Sequence, residues 1–101
     1  MLKLFGAKIS WSAKIYPSVK IFKPWLLEMG RNSCLARNVD CYNYDNIKID
    51  SNSIVSQNSF LCTASHNYNS KKFELITNKI TIKKNVWVAA NCFIGPGVTM
   101  N

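Results

Sequence analysis

A single histidine stands in the chain, His66, inside the string LCTASHNYN at residues 61–69. An imidazole changes charge near neutral pH, so it can take a proton from a hydroxyl and hand it on. The small polar flanks leave room beside the ring. A lone histidine is also a common surface residue, and its type alone does not choose between the two roles. Cys62, four residues earlier, offers a thiol that could act as a nucleophile if ionised, although a packing role explains it as well.

The remaining titratable residues exclude more than they include. The four cysteines at 34, 41, 62 and 92 form no C-x-x-C pair and have only one histidine to join them, so no metal site is expected. The opening MLKLFGAKISWSAK has no continuous apolar stretch of leader type, and no run reaches transmembrane length. Reduced thiols in a cytoplasmic protein without a membrane span are the expectation. Net charge is +8 over 101 residues, which permits anionic partners. The lysines are scattered, however, and no basic run or nucleic-acid module is present, so nucleic acid is not an expected partner. Lys71, Lys72, Lys79, Lys83 and Lys84 stand closest together, and either solvate a surface or attract phosphate groups.

What positions His66 is a repeat. In ITIKKNVWVAANCFIGPGVTM, residues 80–100, Ile82, Val88, Ile94 and Met100 fall six apart. The same spacing links Ile49, Val55 and Leu61, then Met29, Leu35 and Cys41, then Ile9, Ile15 and Ile21. Neither a strand (period 2) nor a helix (period 3.6) repeats every six. The fourth place of the hexad is Asn at 32, 38, 52, 58, 85 and 91 and Gly at 97, the residues that tolerate left-handed backbone angles. The fifth place is small or β-branched. Each hexad therefore reads as a short strand plus a corner, and three hexads close a triangle. The predicted fold is all-β, a parallel β-helix built as a triangular prism of hexapeptide coils.

One domain is expected, with coils at 9–28, 29–48, 49–66 and 82–99. Ile21 to Met29 and Cys41 to Ile49 are each eight apart, which places two small bulges on one corner. Residues 67–81 carry no hexad and read as an excursion loop thrown out from a corner, with His66 at its root. Loops on rigid scaffolds commonly carry function. The chain stops just inside a fifth coil, without a capping element, and is expected to be C-terminally truncated.

Three stretches resemble the hexapeptide-repeat acyltransferases: SQNSFLCTASHNY at 56–68, LITNKITIKKNVWVAANCFIGPGVTM at 75–100 and YPSVKIFKPWLLEMGRNSCLA at 16–36. The nearest likeness is to the colanic acid biosynthesis acetyltransferase branch, and then to maltose and galactoside O-acetyltransferases. The specific part is the C-T-x-S-H-x-Y string followed by a loop and V-W-V-x-A. The resemblance implies a left-handed β-helix that assembles as a homotrimer, with acetyl-CoA lying between neighbouring prisms. It implies that His66 is the general base for O-acetylation of a sugar or polysaccharide precursor by direct transfer. It also places Trp87, Ala89 and Ala90 along the coenzyme A arm, and Asn43 and Asp45 toward the acceptor. The alternative expectation is a non-catalytic, truncated prism, either a remnant without activity or a module that serves assembly.

Overall fold

A corner every six residues is first a problem for the backbone. A side chain in the left-handed region normally costs about 1–2 kcal/mol, a penalty that Asn bears better than most and Gly does not incur. Asn32, Asn38, Asn52, Asn58, Asn85 and Asn91 all hold φ between 57° and 61°, and Gly97 holds 77°. No other non-glycine residue among those described has a positive φ. A computed structural model describes residues 8–66 and 75–101, with the backbone alone for Ser65, His66 and Leu75.

Between corners the chain makes strands of two or three residues that pair in parallel from coil to coil. The first sheet contains Lys8–Ile9, Leu27–Met29, Ile47–Ile49, Ile80–Ile82 and Thr99–Met100. The second contains Lys14–Ile15, Cys34–Leu35, Ile54–Val55 and Trp87–Val88. The third contains Lys20–Ile21, Asp40–Tyr42, Phe60–Cys62 and Phe93–Ile94. Each coil supplies one strand to each sheet, so the three sheets are the sides of a triangular prism. The winding is left-handed. The right-handed preference of parallel crossovers belongs to long connections that pack back onto a sheet; here the connection is a single tight turn.

Backbone hydrogen bonds run along the prism axis in unbroken ladders. Lys14 donates to the Ser33 carbonyl at 2.9 Å, Cys34 to Ser53 at 3.0 Å and Ile54 to Val86 at 2.9 Å. A second ladder runs from Lys20 to Val39 at 3.0 Å, Asp40 to Ser59 at 3.0 Å and Phe60 to Cys92 at 2.9 Å. Inward serines at the fifth place stitch the corners. The Ser33 hydroxyl donates to the Gly30 carbonyl at 2.7 Å and that of Ser59 to Ala89 at 3.1 Å. Ser53 donates to the Lys83 carbonyl and accepts from the Val86 N–H at 2.9 Å. Among the described residues no buried side-chain polar atom lacks a partner, as a dry interior requires.

The first places of the hexads form the core. Met29, Ile49 and Ile82 stack under one side, Leu35, Val55 and Val88 under the second, and Cys41, Leu61 and Ile94 under the third. Ile9, Ile15, Ile21 and Met100, in the outer coils, are partly buried. A further inward column, Leu27, Ile47 and Ile80, belongs to the first sheet alone. The two extra residues of each eight-residue spacing lengthen that side and bring this column into the core.

The excursion is narrower than the expected 67–81. Ile80 is fully buried and pairs with Ile47, so residues 80–82 belong to the prism. Leu75–Thr77 returns as a strand antiparallel to Ala64–His66. The intervening residues 67–74 lie outside those described. The missing hexad signal around 80 has a physical cause: burial of Ile80 follows the extra column and not the six-residue phase.

The corners give a stability prediction. Asn58→Ala keeps the positive φ but loses the residue that tolerates it, and should lower unfolding stability by about 1 kcal/mol. Asn58→Gly should recover most of that loss. Urea denaturation midpoints of the two variants check this, and equal loss in both would contradict it.

Candidate active site

The corner between the third and first sheets breaks the repeat in every described coil that reaches it by way of residues 22–26, 42–46 or 63–79. In the first coil Pro24 opens a single 3-10 turn, Pro24–Leu26, closed by the Leu27 N–H on the Pro24 carbonyl. Proline fits there because its fixed φ suits the first residue of a turn and its missing N–H is not needed. In the third coil the chain leaves the prism altogether and forms the hairpin.

Residues 23, 43 and 63 stack at this corner, twenty apart. Asn43 is fully buried (0% exposed); its carbonyl oxygen accepts from the Lys23 N–H and its amide donates to the Lys23 carbonyl, both at 2.7 Å. Thr63 repeats the device one coil on. Its hydroxyl donates to the Tyr42 carbonyl at 3.2 Å and accepts from the Asp45 N–H at 3.0 Å. These clamps hold a bulged backbone that has lost its regular ladder partners.

Aromatic rings cover the outer side of the corner. Phe22 lies 5.4 Å from Tyr42 and 4.9 Å from Tyr44, and the two tyrosines meet edge to face at 5.0 Å. The Lys23 ammonium sits 4.9 Å from the Tyr44 ring centre, within cation–π range. A hydrogen bond with Tyr44 holds the Tyr42 phenol above its ordinary pKa, with burial acting in the same direction. The column continues down the third sheet through Phe60 to Phe93, at 6.4 and 5.5 Å between ring centres.

His66 pairs with Leu75 in the hairpin, one pair beyond Ser65 and Ile76. It therefore does not close a prism corner at the sixth place of a hexad; the hexad begun at Leu61 leaves the prism after Thr63. The side chain of His66 lies outside what is described. Trp87 stands on the second sheet, in register with Ile54. Its indole is 74% exposed and its N–H donates to the buried Ser56 hydroxyl at 2.7 Å. Ala89 and Ala90 follow directly, exposed and half-buried, at the corner turned by Asn91. Trp87, Ala89 and Ala90 thus share one surface, whereas His66 departs from a different corner of the same prism.

The acceptor-side expectations divide. The side chain of Asn43 is wholly inside, with both polar ends held by the Lys23 backbone, and acts there as a clamp. Asp45 is half-buried at the hairpin root, with its carboxylate accepting from the Asn46 N–H at 2.7 Å. Cys62 is buried, and its thiol donates to the Ala64 carbonyl at 3.1 Å. Burial, reinforced by Asp40, pushes the Cys41 thiol up to about 12, and burial raises that of Cys34 against the opposing charge of Lys14. Sequence reasoning missed Thr63, Ser56 and the ring cluster. The twenty-residue recurrence of Phe22 with Tyr42, and of 23 with 43 and 63, was the available signal. Among the described residues no group of three His, Cys, Asp or Glu is placed to hold a metal, and no helix is long and apolar enough to cross a membrane.

No family model matches the sequence. The chain is 41% identical over 100 residues to "Putative colanic acid biosynthesis acetyltransferase WcaF" of Escherichia coli (strain K12), and equally to the protein of that name from Shigella flexneri. Each alignment covers 99% of this chain and 55% of the relative, so the chain spans about half the length of the curated relatives it matches. Among solved structures, a maltose O-acetyltransferase from Clostridium difficile 630 superposes with a TM-score of 0.84 at 19% identity, covering 97% of this chain and 54% of that one. AntD, an N-acyltransferase from Bacillus cereus in complex with dTDP and 3-hydroxybutyryl-CoA, superposes with a TM-score of 0.72 at 16% identity, covering 97% and 68%. At these identities the structural likenesses carry the fold.

The clamp at the corner is testable. Asn43→Ala removes both partners of the Lys23 backbone, and leaving a buried donor or acceptor unmet costs about 1–3 kcal/mol. A loss of that size is expected in chemical denaturation. Wild-type stability in the variant would show that the bulge holds without the clamp.

Proposed function

We propose that the chain is a segment of a hexapeptide-repeat acyltransferase and carries part of an acetyl-transfer site working on a sugar or polysaccharide-precursor hydroxyl, with acetyl-CoA as donor. The observation that carries the reading is the 41% identity, along almost the whole chain, to a colanic acid biosynthesis acetyltransferase. The hairpin that bears His66, at a corner of an otherwise regular prism, supports it.

The chemistry follows from the groups present. His66 takes the proton of the acceptor hydroxyl as the oxygen attacks the thioester carbonyl. The tetrahedral intermediate collapses, the carbon–sulfur bond breaks, and the imidazolium returns its proton to the departing coenzyme A thiolate. General-base help of this kind is worth about 10²–10⁴ in rate. Direct transfer needs no enzyme nucleophile. The buried thiols of Cys41 and Cys62 fit that route, Cys41 being held protonated and Cys62 being engaged with the Ala64 carbonyl.

The indole of Trp87, fixed by Ser56, makes a wall beside the small residues Ala89 and Ala90. A flat wall next to side chains no larger than methyl lets a narrow pantetheine arm approach the backbone. Lys83 and Lys84 lie on the same coil and are exposed, suited to the coenzyme's phosphates. Asp45 stands at the acceptor side of the hairpin. His66 and Trp87 leave one prism from different places, which supports a site completed between neighbouring copies in a homotrimer. Reaction in the cytoplasm, where acetyl-CoA is made, is part of the same reading.

Thiol release from acetyl-CoA with candidate sugars, compared between wild type and His66→Ala, tests the reading. The variant should lose about 10²–10⁴ in rate while calorimetry finds coenzyme A affinity unchanged. Equal rates would remove His66 from the mechanism. Absence of coenzyme A binding up to about millimolar concentrations, a free energy near −4 kcal/mol, would leave a prism without transfer chemistry.

A further inference from the structure

The first described coil, residues 8–27, carries Lys8, Lys14, Lys20 and Lys23 and no acid. Lys8, Lys14 and Lys20 are exposed and stand one on each side of the prism, in the outermost described strand of each sheet. Aromatic rings stand at the three corners of the same coil: Trp11 at the first, Tyr16 at the second, Phe22 and Trp25 at the third, 92, 44, 49 and 58% exposed. Cation and ring therefore alternate around the whole circumference. One coil on, the places in register with the three lysines hold Glu28, Cys34 and Asp40. Residues 28–48 balance Arg31, Arg37 and Lys48 with Glu28, Asp40 and Asp45. Glu28 makes its ion pair with Lys48, at 3.7 Å, away from the first coil. The last coil also lacks acids, but its Lys79, Lys83 and Lys84 flank a single strand, Ile80–Ile82.

We propose that this girdle seats the prism, first coil down, on the surface of an anionic phospholipid bilayer. Lysine on an outermost strand by itself serves to discourage pairing with another chain. Four exposed rings beside the lysines do the opposite in water, and together they call for a second surface. Indole and phenol rings settle at the boundary between headgroups and acyl chains, where one part of the ring is apolar and the other wet. Lysine stems lie along that boundary while the ammonium groups reach lipid phosphates, each worth roughly a factor of five in affinity at an anionic leaflet. The three sides of the prism face three directions, so a flat partner meets all three lysines only when the prism axis stands upright on it. A nucleic acid duplex or a folded acidic protein would lie against one side and leave the other two idle. Lys23 sits 4.9 Å from the Tyr44 ring centre, which keeps its charge at the third corner beside Phe22 and Trp25. Among the described residues no helix is long and apolar enough to cross a membrane, and contact of this kind, at the interface plane, needs none.

The inference is independent of the transfer chemistry, and its test contains no coenzyme A, so the two readings fail separately. The 101-residue chain is floated with unilamellar vesicles of phosphatidylcholine, with and without about 30% phosphatidylglycerol, in about 0.1 M salt. The anionic vesicles should bind it about tenfold more tightly or better. The triple change Lys8→Gln, Lys14→Gln, Lys20→Gln should weaken that binding by about tenfold or more, whereas Lys79→Gln, Lys83→Gln, Lys84→Gln, which removes equal charge from the last coil, should weaken it by less than about threefold. Both triple variants should melt near wild type. The double change Trp11→Phe, Trp25→Phe leaves Trp87 as the one tryptophan, and its emission should stay unshifted on anionic vesicles. In Trp87→Phe, which keeps Trp11 and Trp25, emission should shift to the blue. Equal binding to neutral vesicles, equal loss in the two lysine triples, or a blue shift in the variant that keeps Trp87 alone would each overturn the proposal. A DNA duplex bound as tightly as the anionic vesicles at the same salt would overturn it too.

Discussion

One residue in six turning the backbone through a positive φ is the constraint on which the prism depends. Six asparagines and Gly97 make those turns. Because the turns recur at fixed spacing, each strand returns directly over its predecessor. Only then can Lys14, Cys34 and Ile54 each donate to the coil that follows. The same registration stacks Leu35 on Val55 and Val55 on Val88, giving a small chain a dry interior. Inward serines then bind one corner to the next through Ser53 and Ser59. Corner, ladder and core are one condition expressed three ways.

Regularity on two corners makes the third conspicuous. There the chain inserts extra residues, and the lost ladder is replaced by side-chain clamps from Asn43 and Thr63. The same insertion buries the Leu27, Ile47 and Ile80 column, sets the Pro24 turn and releases the His66 hairpin. Rings gather on the third-sheet side of this corner and lysines on the first-sheet side. A stiff scaffold with one irregular corner is a common way to hold reactive groups in place. Trp87 lies away from that corner, on a regular face, where Ser56 fixes its indole.

The repeat made the prism legible before any coordinates. All thirteen apolar first places line the interior, and every fourth-place Asn among those described adopts the expected angle. What the repeat could not convey is phase after an insertion. Two added residues shift which side chains point inward, so Ile80 read as loop and is core. The resemblance set Asn43 toward the acceptor, yet a bulged backbone also needs internal partners, and its side chain is fully buried against Lys23. His66 read as the sixth place of a hexad at the root of an excursion, but the chain has already left the prism at Thr63 and His66 lies within the hairpin strand, which no hexad count reveals. Trp87 and His66, one coil apart in sequence, hang from different parts of the prism.

Amide resonances of the isotopically labelled chain, followed during titration with coenzyme A, test most directly whether the regular face and the irregular corner form one transfer site. The Trp87 indole N–H and the Ala89 and Ala90 amides should move together and saturate with a single affinity, accompanied by residues at the hairpin root. Saturating shifts confined to the first-sheet lysines, with the Trp87 indole unmoved, would contradict it.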